Sequence, residues 1–273
     1  MRVWGAAWAG LLAVSAPVAA TAADADLRLQ PAPTPEWTVT LGAEGRIEPR
    51  FLGSDKDALF PYPIVAVRRF GTPEPFRGPR DGISVGVIDG NNFQIGPVGV
   101  LRLPRREGMD YSLHGLGNVP WAVELGIFGE YWWMPWLRTR AELRQGFNGH
   151  HGVVSDVFTD AVVPVGPQWT FSGGPRITFA STAATSPYFS IDPSQSAASG
   201  LPVYDAKGGV RSVGAGTQAR YLWSPQLATH AFIEYERLTG DTAASPLVTQ
   251  RGSPNQLTIG FGATRSFDVR LPW

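Results

Sequence analysis

The sequence predicts an all-β chain that forms an antiparallel up-and-down transmembrane β-barrel after a cleaved signal peptide. Three observations predict it: many segments alternate apolar and polar residues, aromatic residues lie at the segment ends, and the chain finishes on an alternating heptad with a terminal aromatic. Successive side chains of a strand point to opposite faces, so each segment has one apolar and one polar face. In a membrane barrel, the apolar face contacts lipid and the polar face lines the lumen.

The N-terminus reads as an export signal covering residues 1–22. Arg2 supplies a positive charge, an uncharged apolar stretch follows, and Ala20-Thr21-Ala22 offers small residues for cleavage. A membrane anchor is the less favoured alternative, because the stretch is short for a span and contains Pro17. We therefore expect export through the Sec pathway, a Pro-rich periplasmic lead-in over residues 23–36, and a barrel over residues 37–273 in the outer membrane of a Gram-negative cell.

The barrel region divides into alternating segments separated by clusters of Gly, Pro, Asn and Asp. The clear segments are Trp37–Glu48, Trp121–Tyr131, Leu137–Gly146, Gln168–Phe179, Ser212–Trp223, Leu227–Arg237 and Gln256–Ala263, and the weaker ones are Tyr62–Phe70, Phe76–Ile88, Phe93–Leu103 and Val153–Val165. These eleven segments are an odd number, whereas single-chain bacterial barrels normally have an even number of strands. We therefore predict twelve strands, with ten as the alternative.

Aromatic placement separates a membrane barrel from a soluble β-sandwich, which also alternates. Trp37, Trp121, Tyr131, Trp169 and Trp223 lie at or near segment ends, whereas a soluble core would favour aromatics in the middle. Aromatics at both ends of an apolar band are the interfacial girdles of outer-membrane barrels. Tight connections also alternate with longer ones from Trp121 onward, which is the asymmetry between periplasmic turns and extracellular loops.

The last strand is predicted to close the barrel and to carry its assembly signal. Phe267, Val269, Leu271 and Trp273 fall on one face, so the closing strand shows lipid an apolar surface. The expected partners are therefore outer-membrane lipid and, during biogenesis, the barrel assembly machinery.

Composition excludes several classes of site. The chain has no Cys, hence no disulfide framework and no thiolate metal site, and its formal net charge of zero gives no basic surface for nucleic acid. His150 and His151 in a Gly-flanked loop are read as loop polarity, because adjacent His residues diverge and nothing nearby completes a metal site. No cofactor or metal is expected.

Motifs along the whole barrel region resemble those of a known family. They include Gly53-Ser-Asp55, Gly149-His-His-Gly152, Ser199-Gly-Leu-Pro-Val-Tyr-Asp-Ala206, Gly240-Asp241 and Ala244-Ser-Pro246. In this order they resemble the MipA/OmpV family (MltA-interacting protein) of Gram-negative outer-membrane proteins. The terminal Leu271-Pro-Trp273 departs from the family's usual terminal Phe but keeps an aromatic end. The resemblance implies a non-enzymatic scaffold that links a murein transglycosylase to a murein synthase, and it supplies no catalytic residues.

Charged residues of both signs fall on the predicted lumen faces. They are Glu44, Arg46, Glu124, Glu130, Arg138, Arg140, Glu142, Arg144, Asp156, Asp160, Arg176, Arg220, Glu234 and Glu236. Two functions are consistent with this pattern. One is a narrow channel in which rings of charge select the solute, and the other is a lumen closed by mutual ion pairs. The near balance of charge favours the closed lumen. A third, less favoured hypothesis is a lipid-modifying enzyme that uses His230 or another lumenal group, and a catalytic His230 would need a Ser within hydrogen-bond reach.

Overall fold

The computed structural model describes residues 35–270. The predicted signal peptide, most of the lead-in, Leu271 and Trp273 lie outside these residues. The strands are β1 (Trp37–Pro49), β2 (Asp57–Arg69), β3 (Ile83–Ser84), β4 (Ile88–Asp89), β5 (Phe93–Arg102), β6 (Ala122–Met134), β7 (Leu137–Asn148), β8 (Val153–Val165), β9 (Trp169–Ala180), β10 (Gly209–Ser224), β11 (Leu227–Leu238) and β12 (Asn255–Val269). The helices are α1 (Thr182–Phe189), α2 (Pro193–Ser199), α3 (Gly240–Ala244) and α4 (Pro246–Arg251).

The twelve strands form one antiparallel sheet that curls into a barrel, and the predicted fold class is confirmed. The sheet order is β2-β1-β12-β11-β10-β9-β8-β7-β6-β5-β3, and β4 also pairs with β5. The two terminal strands are paired, with Phe267 opposite Val39 and Val269 opposite Trp37. The sheet is interrupted elsewhere, because β2 and β3 do not pair with each other.

One predicted segment differs from its observed form. Phe76–Ile88 was expected to be a continuous strand, yet only Ile83–Ser84 and Ile88–Asp89 are in strand conformation. Pro75 and Pro79 lack the N–H that a strand ladder requires, and Gly78 and Gly82 carry no side chain to pack on a sheet face. The strand pattern therefore begins only after Gly82.

The two faces of the wall separate charge from apolar surface. In β7, Arg138, Arg140 and Arg144 are almost fully buried inside the barrel, whereas Leu143 is half exposed on the outside. Aromatics cluster on the outer face at the end that carries the short turns, where the rings of Trp169 and Tyr221 lie 4.7 Å apart. This end matches the periplasmic side of outer-membrane barrels.

Longer connections pack into a cap over the opposite end. Phe51, Leu113, Leu116, Ile191, Leu201 and Leu247 form one buried apolar cluster, and Phe189, Ala206, Leu238 and Val248 form a second. Apart from Leu238, which ends β11, these residues come from four different loops and from the helices within them, so the loops hold one another in place through shared apolar packing.

Helices are short throughout the described part of the chain. Between residues 35 and 270, none has both the length and the apolar character needed to cross a bilayer.

Candidate functional site: the barrel lumen

The connection between β2 and β3 passes through the inside of the barrel. Antiparallel pairing around the sheet makes β2 and β3 run in the same direction, so the chain must return to the other end between them. Residues Thr72–Gly82, here called the lumenal segment, make this return among side chains of the inner wall. The segment therefore occupies space that an open pore would need.

Arg80 fixes the upper part of the lumenal segment. Its guanidinium lies 2.5 Å from Glu236, 3.3 Å from Glu234 and 3.7 Å from Asp156. These carboxylates belong to β11 and β8, so one side chain joins two separate parts of the wall. Its neighbour Asp81 reaches β7, where Arg138 Nη2 donates to it at 2.7 Å.

Further contacts with the wall are distributed along the lumenal segment. Glu74 pairs with Arg220 at 2.6 Å, and the Gln218 amide donates to the carbonyl of Arg77 at 3.3 Å. The backbone N–H of Gly82 donates to Glu142 at 3.1 Å. The segment is therefore bound at its lower, middle and upper levels by different strands.

The wall charges also pair with one another. Arg138 contacts Glu130 at 2.7 Å and Asp160 at 3.4 Å, and Asp160 in turn accepts from Arg176 at 2.6 Å. Arg140 contacts Glu142 at 2.8 Å.

At the upper level, Arg144 binds Glu124 at 2.9 Å and also pairs with Glu142 and Asp156. Glu44 pairs with Arg46 of the same strand and with His230 of β11. The structure thus places each charged residue assigned to the lumen by sequence on the inner side of the wall, within 4 Å of an opposite charge.

Aromatic side chains that break the alternation contribute to this interior. Phe128 and Phe232 lie on the polar faces of their strands and are buried. The Arg140 guanidinium lies 3.9 Å from the ring centroid of Phe128, and Arg46 lies 5.5 Å from that of Phe232. An arginine over a ring face keeps its charge while part of its surface is covered by apolar atoms.

Two kinds of buried polar residue are not visible in the strand alternation. Arg80 and Asp81 were assigned to a strand, although their Pro- and Gly-rich surroundings are the signal that could have identified an irregular segment. The reading of His150 as loop polarity is wrong, because its ring is 3% exposed and its Nε2 lies 3.2 Å from Glu124 Oε1. His151, in contrast, is exposed.

His230 has one side-chain partner among the described residues, Glu44, at 2.5 Å. No Ser or Thr hydroxyl in residues 35–270 lies within hydrogen-bond distance of its ring, so a Ser–His pair is not formed there. No group of three or more His, Asp or Glu side chains in this part of the chain is arranged to hold a metal ion.

Buried polar groups of the cap lie just above the lumen. Arg105 donates to the carbonyl of Tyr188 at 2.5 Å, and burial lowers the pKa of Arg105 to about 10. Asp110 accepts from the backbone N–H of Ser112 at 2.9 Å and pairs with Lys56 and Arg50, each at 3.2 Å. These contacts tie the loop after β5 to the loop after β1.

One family model and several solved structures match most of the chain. The model of the family described as MltA-interacting protein MipA matches residues 41–267. Similar solved structures include the KdgM porin, with 10% identity, a TM-score of 0.38, and coverage of 84% of this chain and 99% of that chain. An outer-membrane channel of Pseudomonas putida F1 is 11% identical, with a TM-score of 0.45 and coverage of 86% and 96%. No curated protein sequence matches the chain significantly.

Proposed function

Since this chain belongs to the MipA family and is an outer-membrane barrel protein, we propose that it is a non-enzymatic, non-conducting scaffold for murein-remodelling enzymes. The proposed partners are a murein transglycosylase, as the family description "MltA-interacting protein" suggests, and a murein synthase. The observation that carries the non-conducting part is the lumenal segment, which is bound to several strands inside the barrel.

The lumenal segment and the paired wall charges support a platform over a channel. A selective pore needs charged groups that remain available to a passing ion, whereas these charges are already engaged with one another. The cap adds a second obstruction at the long-loop end, where Leu113 and Val248 are fully buried. The lipid-modifying alternative is less well supported, because His230 hydrogen-bonds to Glu44 and to no hydroxyl in the described chain.

A periplasmic partner would meet the short-turn end of the barrel. The turn between β6 and β7 presents Trp133, Met134 and Trp136, which are 63%, 49% and 47% exposed. Aromatic side chains of this kind supply large contact areas in protein interfaces. We therefore propose this turn as part of the surface that binds the transglycosylase.

The scaffold proposal can be tested by capturing a purified murein transglycosylase on the full-length barrel in detergent. Binding is expected with the native protein, and Trp136→Ala should weaken it. Trp121→Ala is the matched control, because Trp121 is 49% exposed but precedes β6 at the opposite end. Failure to capture the enzyme, under conditions where an established scaffold captures it, would reject this role.

The two alternatives have their own measurements. The protein in planar bilayers is expected to give no conductance steps, and regular steps would instead support a channel. Lipid A mass spectra should be identical with and without the gene, whereas a mass difference would support a lipid-modifying enzyme.

A further inference from the structure

The barrel wall has an open edge along β2. The N–H of Phe70 donates to the carbonyl of Glu36, and the N–H of Arg50 donates to that of Lys56, each at 2.9 Å. Even-numbered residues of β2 therefore direct their backbone groups towards β1. Because the β1–β2 register is uninterrupted, odd-numbered residues direct theirs to the opposite edge, which has no strand partner among residues 35–270.

Prolines occupy two positions on this open edge. Pro61 and Pro63 are odd-numbered and therefore lie on this edge. Because proline has no backbone N–H, the edge lacks two hydrogen-bond donors that an added strand would need. Proline on an edge strand blocks pairing with a further strand. A second copy of this chain is therefore a poor occupant for the edge, and the occupant must be recognised through side chains.

The opposing side of the gap is formed by β5. β3 begins opposite Gly99, so Leu101 has no strand partner on that side in the described chain. Between β2, β5 and the lumenal segment lies a cleft that continues into the barrel as far as Gln218 and His230, and the whole cavity measures about 560 Å³. Val65, Val67 and Leu101 line it and are also 45%, 44% and 58% exposed on the outer surface, so its outer mouth is apolar.

Two arginines inside the cleft retain unused donors. Arg68 and Arg77 line it, and no carboxylate of the described chain lies within 4 Å of either, although Arg80 and Arg220 in the same cleft are paired. Arg68 donates to the carbonyl of Thr72 at 2.6 Å, but its Nε is buried without a partner. The only side-chain hydrogen bond of Arg77 in the described chain is a long one, 3.4 Å to the carbonyl of Ser84.

The level of Arg68 in the barrel indicates which part of the bilayer it meets. It is one residue from Arg69, which pairs with Trp37 at the short-turn, periplasmic end of the wall. The head groups of the periplasmic leaflet lie at this end, and a guanidinium binds phosphate oxygens through paired donors.

We propose that the cleft between β2 and β5 binds an anionic phospholipid of the periplasmic leaflet. The phosphate would bind Arg68 and Arg77, and an acyl chain would lie along Val65, Val67 and Leu101. The acyl chain fits because it covers an apolar surface, and the phosphate fits because it supplies oxygens to two arginines that have no carboxylate of the described chain within 4 Å. Binding of this lipid is independent of the scaffold role, since the cleft and the β6–β7 turn share no residues.

Native mass spectrometry of the full-length protein can test the proposal with phosphatidylglycerol and phosphatidylethanolamine of identical acyl chains. Phosphatidylglycerol should be retained in preference to phosphatidylethanolamine. The Arg68→Gln/Arg77→Gln double variant should retain it about tenfold less, because charged hydrogen bonds to the phosphate are lost. Arg237→Gln/Arg265→Gln is the matched control, since it removes two exposed arginines outside the cleft and should bind as the native protein does.

A second pair of variants tests the apolar wall without changing charge. Val67→Trp should fill the cleft and reduce lipid retention, whereas Val163→Trp, at a 47% exposed outer position of β8, should not. Heat-modifiable gel mobility checks that each variant is folded. Equal retention of both lipids, unchanged retention in the double variant, or equally potent displacement by glycerol phosphate without acyl chains would overturn the proposal.

Discussion

Arg80 Nη1 lies 2.5 Å from Glu236 Oε1, and this contact joins the lumenal segment to β11. Arg80 is the one cation of the described chain within 4 Å of Glu236, whereas Glu234 also has Arg176 at 3.8 Å. Buried ion pairs contribute little net stability when both charges are present, but removing one partner leaves the other uncompensated. The segment is therefore held by contacts whose loss is costly.

Replacement of Arg80 by Met should destabilise the barrel by about 2–3 kcal/mol, because Glu236, whose side chain is 17% exposed, loses its cation, and the more deeply buried Glu234 and Asp156 lose one of theirs. The free energy of unfolding in urea, measured in lipid vesicles, gives this quantity. Arg220→Met is the control: its pair with Glu74 is about one third exposed, so the loss should stay below about 1 kcal/mol. Equal losses in the two variants would contradict the anchoring role of Arg80.

Exchange of residues 73–81 for a Gly-Ser linker of equal length should open a conducting path. The linker lacks Arg80 and Asp81, so nothing fixes it to Glu236 or Arg138, and a flexible chain samples the lumen without filling it. Planar-bilayer recordings should show conductance steps for this variant and none for the native protein. Silent recordings from a variant that is folded by heat-modifiable mobility would show that the cap alone closes the barrel.

The cap should unfold separately from the wall when its apolar cluster is weakened. Leu113→Ala removes a fully buried side chain, and losses of about 2–5 kcal/mol are typical of such a change. Limited proteolysis should then cut the long loops while heat-modifiable mobility of the barrel persists. Tyr111→Ala, at an 85% exposed position two residues away, should leave the cleavage pattern unchanged.

Assembly should depend on the C-terminal aromatic. Trp273→Ala removes the terminal residue of the predicted assembly signal, so less protein should reach the heat-modifiable, membrane-inserted form in cells. Phe261→Ala is the control, because Phe261 is 62% exposed on the outer face of β12 but lies within the strand. A similar decrease in both variants would indicate a general loss of strand hydrophobicity and would contradict a terminal signal.

Strand periodicity was sufficient to predict the wall, because lipid on one side and water or charge on the other impose a strict alternation on every strand. The same alternation assigned Arg138 and Glu142 to the inner face. Alternation could not identify Arg80, because the lumenal segment leaves the sheet and its side chains do not alternate between two faces. The Pro- and Gly-rich composition around Arg80 argues against the strand predicted for Phe76–Ile88, but it does not say where the side chain lies.

The sequence also does not indicate where the barrel wall is interrupted. The last strand was predicted to close the barrel, and in the structure β12 pairs with β1, with Phe267 opposite Val39. The interruption between β2 and β3 instead follows from the direction in which each strand runs, which depends on three-dimensional pairing. The burial of His150 is not visible in the sequence for a related reason: it depends on contact with Glu124 of β6, which is 26 residues away along the chain.

Asp110 should make the cap sensitive to acid. Burial alone would raise the pKa of Asp110, but hydrogen bonds from Ser112 and Lys56 outweigh it and hold the pKa below its usual range. A carboxyl with a lowered pKa in the folded state stabilises that state above its unfolded pKa of about 3.9, and this contribution is lost as the pH falls through the folded value. The cap should therefore loosen as the pH falls below about 4.

A spin label at Tyr111→Cys can follow this change, because the chain contains no other Cys and position 111 is exposed. Label mobility should rise on acidification of the otherwise native protein. Asp110→Asn should give a mobile label already at neutral pH, since the amide cannot form the charged contacts with Lys56 and Arg50. Asp55→Asn, which removes an exposed carboxylate beside Lys56, should keep the native pH response, and the same response in Asp110→Asn would assign the acid sensitivity to another group.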